Sequence, residues 1–357
     1  MQAEQPPGAA GSTAGPSFWL DPPPEAGPPL EGGSRVEVAI AGGGYAGLCT
    51  ALELRRRGVA VAVLESELCG FGASGRNAGH LTPTIGKDLP SLLRGFGRER
   101  GGALVRLADS AVERVEGLIS EHAIDCSYRP YGNVVAGIHM GQAKRLEAAA
   151  RAGIELGAAL RMLEPAELAE RELPRSFVCG YLEQRGGVLD PGAYVRGLRA
   201  AAIAAGVEVH ERTPLLEIDG GPNGLRLRTP RGELHAERLV VATNAYTRML
   251  GTPDGGPVAL WVSMLATEPL PLAVRERIGW SGEEGIYTAH EVLESHRLTA
   301  DGRIVSGSRF VRYGGRDPLP DHDPDVFARI ETMMRSRFPE AEEVPVARFW
   351  SGPIGCN

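Results

Sequence analysis

Apolar and polar positions change period several times along the chain, and each change marks an element. "VEVAIA", Val36 to Ala41, is β-branched and runs into three adjacent glycines. "YAGLCTALELRRRG" follows with apolar residues at helical spacing and a glycine stop at Gly58. "VAVAVLE" then returns as a near-continuous apolar run ending in an acid. A strand buried on both faces reads this way, so this stretch predicts a βαβ unit. From about Ser91 to Arg171 the pattern is mostly helical, as in "ALVRLADSAVERVEGLISEHAI" and "GQAKRLEAAARAGIELGAALRML", with a short β-like insert at "YRPYGNVVAGIH". "GGVLDPGAYVRGLRAAAIAAGVEVHER" predicts a turn, an Ala-rich helix and a strand, and "LRLRTPRGELHAERLVVATNAY" a hairpin leading into a buried strand. After Gly251, "VALWVSMLATEPL", "HRLTADGRIVSGSRFV" and "PVARFWSGP" predict strands of a separate sheet, with a helix near "DPDVFARIETMMRSRF".

The order of these elements predicts an α/β chain, α+β overall, that weaves between two domains. A Rossmann-like dinucleotide domain takes residues 35–90 and 185–255. A substrate domain, 91–184 and 256–350, is built on a mostly antiparallel sheet with helices. Residues 1–34 form a Pro/Gly-rich tail in which "SFWL" predicts local anchoring through Phe18 and Trp19. A cleft along the domain boundary is where chemistry is expected.

Composition narrows the class. With 43% hydrophobic and 23% charged residues, 357 residues supply the core of about two domains. No apolar run approaches the roughly 20 residues of a membrane helix. The net charge of −7, with arginines scattered among acids, offers no basic field to a nucleic-acid backbone. The five cysteines contain no C-x-x-C pair, so neither a disulfide framework nor a zinc site is predicted, and a reducing cytoplasm fits best. The tail lacks the basic and apolar regions of a secretory signal.

Gly42, Gly44 and Gly47 fit G-x-G-x-x-G. The first permits a tight turn out of the strand, the second lets backbone approach a pyrophosphate, and the third brings the helix close to the sheet. The anion then faces the N-terminal end of that helix. Glu65 closes the second strand 18 residues beyond Gly47, where a carboxylate accepts hydrogen bonds from an adenosine ribose. NAD and FAD both satisfy this unit. "LCGFGASGRNAGHL" comes next, rich in small residues, with Arg76 and Asn77 as donors; a loop laid along a pyrophosphate and a flat ring favours FAD.

"AIAGGGYAGL", "GFGASGRNAGH", "GGVLDPGAYVRGL", "VVATNAY" and "TEPLP" together resemble the glycine/D-amino-acid oxidase (DAO) family of FAD-dependent oxidoreductases, most of all its γ-glutamylputrescine oxidase subgroup. The resemblance extends to "SFWLD" in the tail. It implies that Gly42, Gly44, Tyr45, Ala46 and Gly47 hold the pyrophosphate of FAD and that Glu65 with Ser66 holds the ribose. Ser74, Arg76, Asn77, Ala78 and Gly79 then line the path to the ring, with His80 and Leu81 beside it. Leu215 stands where such proteins read adenine through backbone, and Thr243 and Asn244 end the strand that returns to the cofactor. The implied reaction removes a hydride equivalent from a carbon bearing an amine, and oxygen receives the electrons to give hydrogen peroxide. A dehydrogenase using another electron acceptor is the alternative, and a flavin-binding protein without activity a third. Relatives continue beyond "RFWSGPIGCN", so residues 351–357 are expected to begin a segment that covers the flavin.

No catalytic acid or base is assigned, because the cofactor carries the electron chemistry. Candidates for substrate contact are Arg309, Arg312 and Tyr313 in "SGSRFVRYGGR", where a guanidinium can clamp a carboxylate. His290 and His296 are candidate proton acceptors for a substrate ammonium. Cys69 and His80 flank the loop, at no spacing that assigns a covalent flavin link.

Overall fold

The computed structural model describes residues 16–171, 173–222, 224–251, 257–314 and 319–356. Elements are numbered along the chain. The βαβ unit consists of β1 (Gly32–Ala41), α1 (Tyr45–Arg56) and β2 (Val61–Leu64). All of β2 and the last four residues of β1 are buried, as strands covered on both faces must be. Val38 lies opposite Val61 and Ala41 opposite Leu64 in parallel register. β8 (Glu208–His210), β9 (Glu217–Gly221), β10 (Gly224–Arg228) and β11 (Gly232–Val241) complete a six-stranded sheet of order β8-β2-β1-β11-β10-β9. β10 and β11 are the expected hairpin, and β11 returns parallel to β1. One face packs on α1 and on α5 (Pro191–Ala204) through Ile40, Leu48, Val63, Val195 and Leu198; the other gathers Val36, Leu64, Leu227 and Leu234.

A second, eight-stranded sheet has the order β16-β12-β15-β14-β13-β4-β6-β5. Its strands are β4 (Asn133–Gly137), β5 (Leu160–Leu163), β6 (Cys179–Glu183), β12 (Val258–Thr267), β13 (Gly285–Thr288), β14 (Ser295–Leu298), β15 (Ile304–Gly307) and β16 (Val346–Cys356). Only β13–β4 is parallel among its pairings. Register assigns its faces. Tyr287, Ser295, Gly307, Met264 and Trp350 form one row across the strands, and Ile286, His296, Ser306, Leu265 and Phe349 form the alternate row. The second row faces α7 (Pro324–Arg337) and α6 (Leu272–Ile278) in the largest core, where Phe338 stacks on Trp280 at 5.4 Å. A two-stranded ribbon, β3 (His80–Leu81) with β7 (Gly187–Val188), lies at the junction of the two sheets.

α2 (Leu89–Glu121), α3 (Ala143–Glu155) and α4 (Pro165–Glu170) supply the helical stretch. Asp88, Asp190 and Asp323 cap α2, α5 and α7 through their carboxylates, each with proline in the first turn. The helix expected through Leu163 stops at Glu155. Gly157 adopts φ +89°, ends α3 and turns the chain, and Leu160–Leu163 pairs with β6 instead. β1 begins at Gly32, before the expected start at Arg35, because its register with β11 extends to Gly232. The expected division between residues 350 and 351 falls within a single strand, β16, paired with β12 from Val346 to Cys356. Residues 1–15 of the tail and Asn357 lie outside the described residues.

Among the described residues no helix is long and apolar enough to cross a membrane, and no cluster of His, Cys, Asp and Glu is arranged to hold a metal ion. The five cysteines are free thiols. Phe338→Ala should destabilise the protein by about 3–5 kcal/mol, because it leaves a cavity beside Trp280. Leu272→Ala, at a position 71% exposed, should stay within about 0.5 kcal/mol of wild type. Urea unfolding of the two variants checks this.

Candidate functional site

The glycine turn is built as its spacing requires. Gly42 adopts φ +109°, and a Cβ there would approach Ala242 O at 2.7 Å. A Cβ on Gly47 would strike Gly42 O, so α1 can sit this close to the turn only without a side chain at that position. A Cβ on Gly44 would lie 2.8 Å from Ser74 Oγ. Tyr45 N donates to that Oγ at 3.0 Å, which ties the first turn of α1 to the loop that follows β2. Gly44 caps α1 without a side-chain hydrogen bond and the first turn contains no acid. The positive end of the helix is therefore left to an anion.

Glu65 is buried at the end of β2. Its Oε2 accepts from Gly43 N at 2.7 Å; Oε1 accepts from Glu67 N at 3.0 Å and from Ser66 Oγ at 3.3 Å. Burial pushes its pKa up, opposed by those hydrogen bonds. Leu215 packs on the Val36–Leu64 face. It lies between Thr213, whose N–H donates to Glu65 O at 2.8 Å, and Leu216, whose N–H donates to Arg228 O at 2.9 Å. Thr243 Oγ1 is 2.9 Å from Thr247 Oγ1, and Asn244, at φ +47°, accepts from Gly355 N at 2.7 Å. Both follow Ala242, whose carbonyl limits the space beside Gly42.

The loop 70–81 runs from this turn to the second sheet. Gly70 N donates to Gly43 O at 3.1 Å. Ser17 Oγ then donates to Gly75 O at 2.5 Å, Trp350 Nε1 to Arg76 O at 2.8 Å and Trp19 Nε1 to Asn77 O at 2.8 Å. The tail is anchored as "SFWL" suggested, with Trp19 buried and Ala78 packed into the Trp19–Trp350 cluster. Sequence analysis places Arg76 and Asn77 as donors to a ligand. In the structure Arg76 instead donates to Phe71 O at 2.8 Å, Ser351 O at 2.7 Å and Asp321 Oδ2 at 2.6 Å. Asn77 Nδ2 reaches Ser74 O at 2.9 Å and Ala73 O at 3.1 Å, while its Oδ1 accepts from Gly79 N at 2.8 Å. Both side chains shape the loop, and Arg76 fastens it to β16. Gly79, at φ +77°, accepts from Leu189 N at 2.8 Å.

Residues 37–356 match the DAO family, described as FAD dependent oxidoreductase. The chain belongs to that family. It is similar to the gamma-glutamylputrescine oxidoreductase of Escherichia coli K12, 29% identical over 88% of this chain and 73% of that protein. It is also similar to the glycine oxidase of Geobacillus kaustophilus, 27% identical over 67% and 63%. Among solved structures, L-proline dehydrogenase from P. horikoshii superposes with a TM-score of 0.74 at 18% identity, covering 91% of this chain and 82% of that one. The G. kaustophilus glycine oxidase structure gives 0.73 at 20% identity, covering 90% and 83%. At these identities the structures show a shared fold. The chain is thus an FAD-dependent oxidoreductase of a family acting on amines or amino acids. Its own residues fit the flavin nucleotide: a cradle that a Cβ would fill at Gly44, an anion-ready helix end, and a buried acid, Glu65, at the end of β2.

In this DAO-family chain the loop ends against residues the sequence pattern did not disclose. His80 Nδ1 is 2.8 Å from Asn133 Oδ1, while Asn133 Nδ2 donates to Leu81 O at 3.0 Å. The His80 ring meets Tyr287 edge-on at 5.8 Å, and the Tyr287 hydroxyl donates to Glu183. Burial lowers the His80 pKa to about 4 and raises that of Glu183 to about 7. Glu211, also absent from the sequence reading, is buried and accepts from Gly27 N, Cys69 N and Arg199. Burial works against its charge, but these donors hold its carboxyl below the usual range. Cys69 lies behind the glycine turn with its thiol pushed up by burial and by the nearby Glu211 and Glu65 carboxylates, an environment that disfavours a thiolate nucleophile.

The expected substrate contacts lie elsewhere. Arg309 borders a cavity of about 400 Å³ on α7, with Glu294, Phe310 and Arg337. Arg312 pairs with Asp323 at 3.0 Å, Tyr313 is 61% exposed, and His290 Nδ1 meets Thr288 Oγ1 at 2.7 Å. His296 is enclosed on the α7 side between Phe177 and Phe338. In hydrogen bonds and ion pairs among the described residues, none of the five meets the loop 70–81. The segment "SRFVRY" follows β15 and stays bonded to β12 through Ser308–Ser263 and Arg312–Trp261, a placement the sequence alone does not reveal.

Two outcomes follow from this geometry. Gly47→Ala should purify with most of its flavin missing, read from the visible absorbance relative to wild type. Glu183, with a folded pKa of about 7, binds a proton that the unfolded chain releases near pH ~4.3. Its contribution to stability is present below the unfolded value and lost as pH rises through the folded one. Relative to Glu183→Gln, wild type should therefore lose about 1–3 kcal/mol between pH ~4 and ~8, measured by urea unfolding across that range.

Proposed function

We propose that this chain oxidises a C–N bond of an amine or amino acid, with a γ-glutamylputrescine-like or glycine/D-amino-acid-like substrate, and that oxygen is the electron acceptor. Support comes from the two curated relatives and, above all, from one feature of the structure: a single loop joins the glycine cradle, at Gly70–Gly43, to the second sheet, at His80–Asn133. FAD, when bound, supplies the acceptor for a hydride equivalent from the carbon bearing the amine, and oxygen takes the electrons onward as hydrogen peroxide.

The chain's own residues have binding and positioning roles in this reading. Gly42, Gly44, Tyr45, Ala46 and Gly47 cradle the pyrophosphate; Glu65 with Ser66 holds the ribose, Leu215 reads adenine, and Thr243 with Asn244 closes the turn from β11. Ser74 and the backbone from Ala78 to Leu81 line the way to the ring, held in shape by Arg76 and Asn77. Trp19 and Trp350 back the loop and exclude water from it. His80 stays neutral near pH 7 and so does not repel a cationic substrate. The free thiols suit a reducing compartment such as the cytoplasm.

The test is peroxide formation by the purified protein with a panel of γ-glutamyl amines, polyamines, glycine and D-amino acids. We expect an amine-dependent signal with at least one compound, together with bleaching of the flavin by the same compound under nitrogen. Bleaching without peroxide would replace oxygen by another acceptor. Neither signal from any compound, with flavin bound, would contradict the reading.

A further inference from the structure

The sheet face toward the flavin loop contains an acid that the folded chain leaves uncompensated. Glu183 is 7% exposed and lies directly opposite the fully buried Asn133. The other buried carboxylates have an arginine or backbone donors: Glu211 pairs with Arg199, Glu294 with Arg337 and Glu284 with Arg171, although Glu284 Oε2 makes no hydrogen bond, while Glu65 takes two backbone N–H groups. For Glu183 the protein provides the Tyr287 hydroxyl, with no cationic side chain paired to it among the described residues. Removing a carboxylate from water without a cation or several donors is costly. A site arranged this way is completed by a ligand that brings them.

His80 points to the same ligand chemistry. Asn133 gives its Nδ2 hydrogens to Leu81 O, so its Oδ1 acts as acceptor and Nδ1 of His80 carries the ring proton. Nε2 of the neutral ring is then a lone-pair acceptor, and it is buried without a partner. The Tyr287 ring bridges the two groups, edge-on to His80 with its hydroxyl on Glu183. Gly285 passes beneath, where a side chain would strike Asn133 and His80. The Glu183–Tyr287–His80 cluster thus presents acceptors and a negative charge; Arg297, the cation near His80, is taken up by the Gly79 and Leu189 carbonyls. A carboxylate would be repelled, whereas an ammonium brings both positive charge and three donors.

We propose that the Glu183 carboxylate, held by Tyr287 next to His80, is the subsite that receives the ammonium group of an amine substrate. This rests on the amine reading given above and deepens it: Glu183, Tyr287 and His80 set the preference for a cation at this position.

Calorimetric titration with putrescine tests it, using holoenzyme whose flavin has been reduced under nitrogen so that nothing turns over. We expect binding to wild type at about pH 8 and at least about tenfold weaker binding to Glu183→Gln, equivalent to the loss of one charge-assisted contact. Equal affinity in the two proteins, or no binding to wild type, overturns the proposal. A pH series on wild type decides the matter if Glu183→Gln does not fold. The titratable groups facing Glu183 are Tyr181 on β6, Tyr287 on β13 and, across the Tyr287 ring, His80 on β3; the charged groups behind them are Arg145 on α3, near Tyr181, and Arg297 on β14, near His80. Affinity should weaken as Glu183 takes up its proton on acidification from pH ~8 to ~6; a flat profile overturns the proposal. The amine reading fails separately, through absence of flavin bleaching by any amine, whatever the variant does.

Discussion

Hydrogen bonds from Ser17, Trp19 and Trp350 to three successive carbonyls of the loop 70–81 hold the two sheets in working relation. A loop rich in small residues has many backbone groups to satisfy and little side-chain area with which to pack. Here the donors come from two segments far apart in sequence, Ser17–Leu20 and strand β16. The Arg76 guanidinium adds the Phe71 and Ser351 carbonyls and Asp321 to the same seam. The path from the glycine cradle to His80 is fixed by this seam, and so is the side of the second sheet that the loop meets.

Buried charge is distributed with the same logic. Glu211 is fully paired and fastens the segment before β1 to the Cys69 turn, a structural task. Glu294, with Arg337, Arg309 and two histidines around it, binds α7 to the far face of the second sheet. Glu65 and Glu183 differ from these in having no arginine. One lies at the nucleotide end of the loop and the other at its sheet end. In the reading proposed above, these two buried carboxylates, which pair with no arginine among the described residues, mark the two ends of the site.

Much of the nucleotide half was legible because it is local. Gly42, Gly44, Gly47 and Glu65 fall within one βαβ unit, and turn geometry, helix dipole and strand end dictate their types at that spacing. The helices expected in "GGVLDPGAYVRGLRAAAIAAG" and "DPDVFARIETMMRSRF" are found as α5 and α7 for the same reason. The helix after Glu155 was misread because Gly157 breaks a run whose apolar spacing suits either a helix or the strand Leu160–Leu163. The proposed substrate end is assembled from distant segments: His80 and Asn133 are 53 residues apart, and Tyr287 and Glu183 are 104 apart. β6, "CGYLE", is buried throughout, so no alternation in its sequence reveals which way Glu183 faces. The eye is drawn instead to "SGSRFVRYGGR", where Arg312 pairs with Asp323 at the start of α7 and Arg309 with Glu294.

Flavin content of the protein as purified tests the central claim most directly. The account predicts a visible spectrum of bound flavin with one FAD released per chain on denaturation. A colourless, folded protein that takes up no added FAD would contradict it.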